Sequence, residues 1–403
     1  MSQPGDPSNP RPADPRPRAG SPARDPAPLD ASRWRHLFPI TREMVHLNHA
    51  GVSPVSTRVV DAMADFLDLS ARTGILHYAE MEARAERARE KFARLIHADP
   101  DEIAFIKNTS EGLSRVANGI AWREGDQIVT TNLEYPSNVY PWWHLAARGV
   151  KTRMVPHRDG RLRMEDLEAA LAPPTRLLAI SSVEFGNGFR NDLETLGRMC
   201  HEREVWFCVD AIQSLGVQPL DVERCRIDFL AADAHKWLLC VEGIGGFFVS
   251  RRVLGSIDPV NVGWKSVVNR GDYFNYDLRF PDSALKFEEG SLNLCSLWGL
   301  DAALELVLEA GVPAIERRVM DLLDRLIAGL GERGHPVSSS LDPGDRSGIL
   351  TFRPRPGGED AHALVRRLRQ QGFITVERAG SVRVSPHFYN NEEEIDRFLK
   401  TLP

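Results

Sequence analysis

This sequence predicts an α/β fold with a mostly parallel sheet covered by helices on both faces. Two observations carry that prediction. From Asp101 onward, short runs that are apolar at nearly every position alternate with helical spans. Strands apolar on both faces, joined by helical crossovers, make a parallel sheet buried on both sides. The chain also has 403 residues, 42% hydrophobic and 26% charged, an ordinary globular composition with enough length for about two domains.

The elements follow along the chain. IAFIK (103–107) is a short strand, and Asn108-Thr109-Ser110 caps a helix starting near Glu111. QIVTT (127–131) is a strand, with a helix expected after Pro136. TRMVP (152–156), LLAISSV (177–183), VWFCVD (205–210) and DFLAAD (228–233) follow as strands, most of them separated by helical spans such as 164–171 and 192–203. FFVS (247–250) adds one more strand after Gly245-Gly246. The last third changes scale. Two amphipathic helices (about 296–310 and 313–332) precede ILTFR (349–353), a helix over 359–370, SVRVS (381–385) and a final helix from Glu392. Asn390-Asn391 caps that last helix, and three glutamates occupy its first turn, where the helix dipole favours anions. This smaller alternation predicts a second α+β domain. The domain reading is residues 1–30 as a tail, 31–290 as an N-terminal segment and large domain, and 291–403 as the small domain.

Composition excludes several classes. The net charge is −6, so nothing draws the chain toward nucleic acid or anionic membranes, and no apolar stretch approaches the length of a membrane span. The first 30 residues hold 9 of the 27 prolines and almost no apolar clusters; such a segment cannot offset its ordering entropy and reads as disordered. Lacking an apolar h-region, it is not a signal peptide. The five cysteines (200, 208, 225, 240, 295) show no C-x-x-C and no metal-ligand spacing, which suits a reducing cytoplasm. Val45-His46-Leu47 reads as extended, so His46 and His49 are not read as metal ligands, and the metal expectation is none.

The chemistry gathers at strand ends, where parallel sheets collect their functional groups. Asp210 ends an apolar strand, and a buried carboxylate there needs a partner. Asp-Ala-His-Lys (233–236) ends the following strand. Lys236 sits among Ala234, Trp237 and Leu238; an apolar setting disfavours its ammonium and makes its amine nucleophilic toward carbonyls. Thr109-Ser110-Glu111 opens a helix whose free N–H groups can take an anion, although such a start also serves simply as a cap. An anion site, a buried carboxylate and a nucleophilic lysine at neighbouring strand ends are the three needs of pyridoxal 5′-phosphate.

In seven blocks taken in sequence, the chain resembles the class V aminotransferases of the fold type I pyridoxal-phosphate superfamily, a group that includes cysteine desulfurases, lyases and isopenicillin N epimerase. The blocks are LNHAG (47–51), NTSEG (108–112), LEYPSN (133–138), VDAIQSLG (209–216), DAHKW (233–237), EEGSLN (288–293) and RVSPHFYNNEEEID (383–396). The resemblance spans about residues 40–402. It implies a large domain with a mostly parallel seven-stranded sheet and a smaller C-terminal α+β domain. It also implies Lys236 as the Schiff-base lysine, Asp210 as partner of the pyridine nitrogen and Gln213 on the ring hydroxyl. Thr109, Ser110 and His235 fall at the phosphate, and Tyr135 stacks on the ring. Ser291 matches a hydroxyl that reaches a partner subunit's phosphate, so a homodimer with shared sites is expected. Arg383 matches the clamp for a substrate α-carboxylate. His49 either faces the substrate or caps a turn. The segment before Arg383, GFITVERAGSVR (372–383), contains no cysteine where the desulfurases carry their persulfide-forming one. The reading drawn here is transamination of a small-molecule amino acid, with C–S lysis of a cysteine-type substrate or epimerisation as alternatives. A non-catalytic ligand sensor is the reading from another class.

Overall fold

Alternate residues of the central strands sort onto two separate cores, and this is why those strands read as uninterrupted apolar runs. In the strand 206–210, Phe207 and Val209 belong to one core and Cys208 to the other; in 229–233, Leu230 and Ala232 face one side and Phe229 and Ala231 the opposite side. Each face is closed by helices, so a polar side chain on either would be stranded away from water.

The computed structural model describes residues 29–403. The expectation of a disordered tail at 1–30 therefore lies outside the described residues, apart from Leu29 and Asp30. The chain enters through α1 (Ser32–Arg35) and β1 (Val45–His46), then forms two long helices, α2 (Thr57–Thr73) and α3 (Tyr78–Ile96). The large sheet follows: β2 (Ile103–Ile106), α4 (Thr109–Gly119), β3 (Gln127–Thr131), α5 (Tyr140–His144), β4 (Lys151–Val155), α6 (Met164–Ala170), β5 (Thr175–Ser181), α7 (Leu193–Glu202), β6 (Trp206–Asp210), β7 (Phe229–Asp233) and β8 (Gly245–Val249). Its strand order is β2-β8-β7-β6-β5-β3-β4, and only β8 runs against its neighbours. The predicted seven-stranded, mostly parallel sheet is therefore present. The helix expected after Pro136 is shorter than the sequence suggested: a single 3₁₀ turn at Pro136–Asn138, then α5.

Two helices, α8 (Leu294–Ala310) and α9 (Val312–Glu332), lead to β9 (Leu350–Phe352), α10 (Ala361–Gln370), β10 (Phe373–Ile374), β11 (Val376–Arg378), β12 (Ser381–Val384) and α11 (Glu392–Thr401). Strands β11, β12 and β9 make a three-stranded antiparallel sheet, and β10 pairs in parallel with β1. Two parts of the domain reading are corrected here. The segment before α2, grouped with the large domain, packs on the small one: Phe38 stacks on Tyr389 at 3.8 Å and Arg35 pairs with Glu394 at 2.6 Å. Conversely α8, grouped with the small domain, packs on α2 and α3, with Trp298 against Phe66 and Arg84, and Asp301 paired to Lys91 at 2.7 Å. Sequence distance hid both contacts. All five cysteines are unpaired, and among the described residues no helix is long and apolar enough to cross a membrane.

Candidate active site

Register places the site. Ser181 on β5 lies opposite Asp210 on β6, Asp210 opposite Ala231 on β7, and Asp233 of β7 and Ile106 of β2 both pair with Gly245 of β8. The carboxyl ends of β2, β5, β6 and β7 therefore open at one edge, with the start of α4 beside them. Asn108 caps α4 by accepting the Glu111 N–H at 2.9 Å. Buried Thr109 accepts the Asp233 N–H at 3.0 Å, which ties the helix start to the end of β7. Ser110 is exposed and donates to the Ser137 hydroxyl at 2.7 Å. Gly112 lets α4 approach the sheet: a Cβ there would sit 2.6 Å from Ala231 Cβ.

Asp210 is buried, and desolvation raises its carboxyl to about 6 even though the Ile212 N–H, at 3.0 Å, and the Lys236 charge favour ionisation. Lys236 is partly buried, three residues past β7. Desolvation lowers its ammonium to about 8, opposed by Asp210 and reinforced by Arg383 and Arg378. Its Nζ lies 5.8 Å from the centroid of the Tyr135 ring, which is 48% exposed and meets Phe185 edge-on. His235 has Nδ1 3.1 Å from Asp233 Oδ1. A lowered ammonium beside a raised carboxyl, both withdrawn from water by burial, marks a chemical site.

Arg383 is 1% exposed, yet no carboxylate partners it among the described residues. Its Nη1 donates to Phe185 O at 2.8 Å and its Nη2 to Asn48 Oδ1 at 3.2 Å, while Nε is buried without an acceptor. Burial and the nearby Arg378 charge lower it to about 9. A buried guanidinium missing its anion is the feature a carboxylate-bearing ligand would complete. Glu377, across the hairpin from Val382, turns its carboxylate to the turn instead, where Oε1 accepts the Gly380 N–H at 2.7 Å.

Other expectations change. His49 is corrected as a substrate contact. It is fully buried, with Nδ1 2.8 Å from Ser385 O and Nε2 2.7 Å from Tyr389 Oη, and burial drives its imidazolium well below the usual range. It joins the N-terminal segment to the small domain. Gln213 is buried with both ends of its amide engaged, Nε2 on Ala50 O at 3.1 Å and Oε1 accepting from Trp237 Nε1 at 3.2 Å. One amide hydrogen is then left for a ring hydroxyl. Ser291 is exposed in the loop ahead of α8.

Two residues escaped the sequence reading. Glu134 accepts from Ser181 N at 2.6 Å and Ser181 Oγ at 2.5 Å, and burial raises its carboxyl to about 8. Glu184, fully buried, accepts from Asn191 at 2.9 Å and is pushed well up by burial and by Glu134. Burial favours the protonated form of both carboxyls, and the charge of Glu134 favours it further in Glu184. Both follow strand ends, the same signal that singled out Asp210. Among the described residues no group of three or more His, Cys, Asp or Glu is arranged to hold a metal ion.

These residues fit pyridoxal phosphate: a helix start with an exposed hydroxyl at Ser110 for a dianion, a desolvated carboxylate for a pyridinium, an amine for an aldehyde and an unpaired guanidinium for a substrate carboxylate. Comparison with known proteins agrees. The profile of the family described as aminotransferase class-V matches residues 45–398. A probable cysteine desulfurase of Methanothermobacter thermautotrophicus is 32% identical over 400 residues, covering 91% of this chain and 96% of that one. Two solved structures are similar at 25% identity, each covering 91% of this chain and 98% of its own. One is a C-DES mutant with glycine covalently linked to its PLP cofactor, at TM-score 0.84. The other is the cystine C–S lyase C-DES with its reaction product cysteine persulfide, at TM-score 0.83.

Proposed function

The chain belongs to the aminotransferase class-V family, and from that premise we propose that it is a pyridoxal-phosphate C–S lyase acting on a cysteine-type amino acid. The carrying observation is the site's inventory beside its relatives. Several of the matching proteins are named for cysteine desulfuration or cystine C–S cleavage, and no thiol of this chain stands where a desulfurase would load sulfur. Cys200, Cys208 and Cys240 are buried, and burial raises every thiol, Cys225 to about 11 and Cys240 to about 12. A thiolate, not a thiol, takes up sulfur, so sulfur would leave in a free product. This displaces the transamination reading to second place.

Pyridoxal phosphate, when bound, supplies the electron sink for the substrate's α-carbon. Thr109, Ser110 and the first N–H groups of α4 would hold its phosphate, with His235 beside them. Asp210 would keep a proton on the pyridine nitrogen; desolvation makes that charge pairing strong. Lys236 would bond the aldehyde and, once displaced by the substrate's amine, take the proton from the α-carbon, a task suited to an amine lowered to about 8. Arg383 would orient the substrate through its carboxylate. The exposed Ser291 and the exposed aromatics Tyr273, Phe274 and Tyr276 support a homodimer. A monomer in light scattering would remove Ser291 from any shared site.

With cystine, the balanced reaction takes up one water and yields pyruvate, ammonia and cysteine persulfide. The test incubates reconstituted enzyme with cystine and with cysteine, without any keto-acid acceptor, and measures pyruvate, ammonia and reduced sulfur. Equal pyruvate and ammonia with unlabelled protein thiols is expected. Turnover only with an added keto acid would restore transamination, and a stoichiometric persulfide on one of the five cysteines would restore the desulfurase route.

A further inference from the structure

Arg383 has a second arginine beside it. Residues 379 and 380 form a two-residue turn, with φ +47° at Ala379 and +75° at Gly380, the left-handed pair that fixes hairpin register. That register sets Arg378 opposite Ser381 and Val376 opposite Arg383. Opposed residues share a sheet face, as do residues two apart on one strand, so Arg378 and Arg383 are diagonal neighbours on the same face. Like charges so placed repel unless an anion lies between them. None does among the described residues. Among the described residues Arg378 donates from Nη1 to the Glu377 carbonyl at 2.8 Å, and Glu377's own carboxylate caps the turn. Arg378 is partly exposed, unlike Arg383, and its charge is felt at both Arg383 and Lys236.

The mouth of the site therefore carries Lys236, Arg383 and Arg378, with one cation more than an amino acid's single carboxylate and the cofactor's aldehyde can use. We propose that Arg378 receives a second anionic group, carried on the side chain of the substrate. The inference rests on the amino-acid reading above and narrows it to amino acids with an acidic side chain, including cysteine derivatives bearing a carboxylate or sulfinate beyond the β-carbon. Diagonal neighbours on a sheet stand roughly 7–8 Å apart at Cα, wider than the two oxygens of one carboxylate, so the two guanidiniums suit two anions.

The test uses holoenzyme and two kinds of probe. L-Alanine and L-aspartate are titrated against the cofactor's absorbance, and propionate and succinate, which lack the amine and cannot react, are titrated by calorimetry. The wild type should bind aspartate and succinate about tenfold or more tightly than alanine and propionate, since one charge-assisted contact is at stake. Arg378→Gln should abolish that preference, leave the monoanions within about twofold, and unfold at no lower temperature because a repulsion has gone. Equal weakening of monoanions and dianions would mean that Arg378 shares the α-carboxylate with Arg383, and unchanged affinities would mean that it faces only solvent; either overturns the inference. If neither amino acid moves the absorbance, the amino-acid reading fails on its own, while propionate and succinate still decide the role of Arg378.

Discussion

Gly112→Ala would separate the stability of α4 from its job at the site. The added Cβ would lie 2.6 Å from Ala231 Cβ, 3.0 Å from Ile106 Cδ1 and 3.5 Å from Phe247 Cδ2. Carbon atoms settle at about 3.5–4.0 Å, so α4 must lift by roughly 1 Å. Ala231 cannot yield, because its Cβ is fixed to the backbone of a central strand. Alanine favours the helix by about 1 kcal/mol over glycine, and overpacking costs about 1–3 kcal/mol. The net loss of stability is then about 0–2 kcal/mol, a small shift in Tm. The start of the helix moves with the rest, and with it go the Thr109 to Asp233 bond and the Ser110 position. A misplacement of about 1 Å can cost on the order of 10²-fold in a positioned site. Apoprotein titrated with pyridoxal phosphate, and separately with pyridoxal lacking the phosphate, reads this directly. The phosphate-bearing form should lose most of its advantage over pyridoxal, while thermal unfolding changes by a few degrees. An unchanged ratio between the two affinities in the variant would refute the reasoning, since α4 would then not be carrying the phosphate.

Three further outcomes are expected. Lys236→Ala should abolish the borohydride-reducible absorbance of the reconstituted protein; colour that is still reducible would remove Lys236 from the aldehyde. Arg383→Lys keeps the charge but cannot reach both Phe185 O and Asn48 while holding a carboxylate. It should therefore raise KM and lower kcat together in steady-state assays, and a change in Tm alone would assign Arg383 to packing. For Glu134 the folded carboxyl is raised to about 8, so the folded state holds a proton that the unfolded chain releases near pH 4.5. Its stabilising contribution is complete below that pH and is lost as pH rises through about 8. His46 and His387, lowered to about 4, act in the opposite sense below pH 6.5. Apoprotein should thus lose up to about 1.4 kcal/mol per pH unit per carboxyl between pH 6.5 and 8, and Glu134→Gln should flatten that slope in denaturant melts.

The sequence was sufficient wherever the governing physics is local. Strand limits from Ile103 to Val249 fell within a residue or two of the reading, because burial on both faces forces continuous apolar runs. Lys236, Asp210 and Thr109 stood out as candidates because a polar group at or just past the end of such a run needs a purpose. The missing cysteine before Arg383 was equally plain. Contacts between distant segments were not legible. Nothing near His49 announces Tyr389 and Ser385, more than 330 residues away, which turn it inward. Gln213 looked free until Ala50 and Trp237 were seen to hold its amide. Glu134 and Glu184 became a pair only when β3 and β5 came together at one edge of the sheet. Periodicity and capping report the environment along one element, whereas the charge balance around Arg383 is set across a hairpin and between two domains. Only the tertiary structure could leave that guanidinium buried, unpaired and next to Arg378.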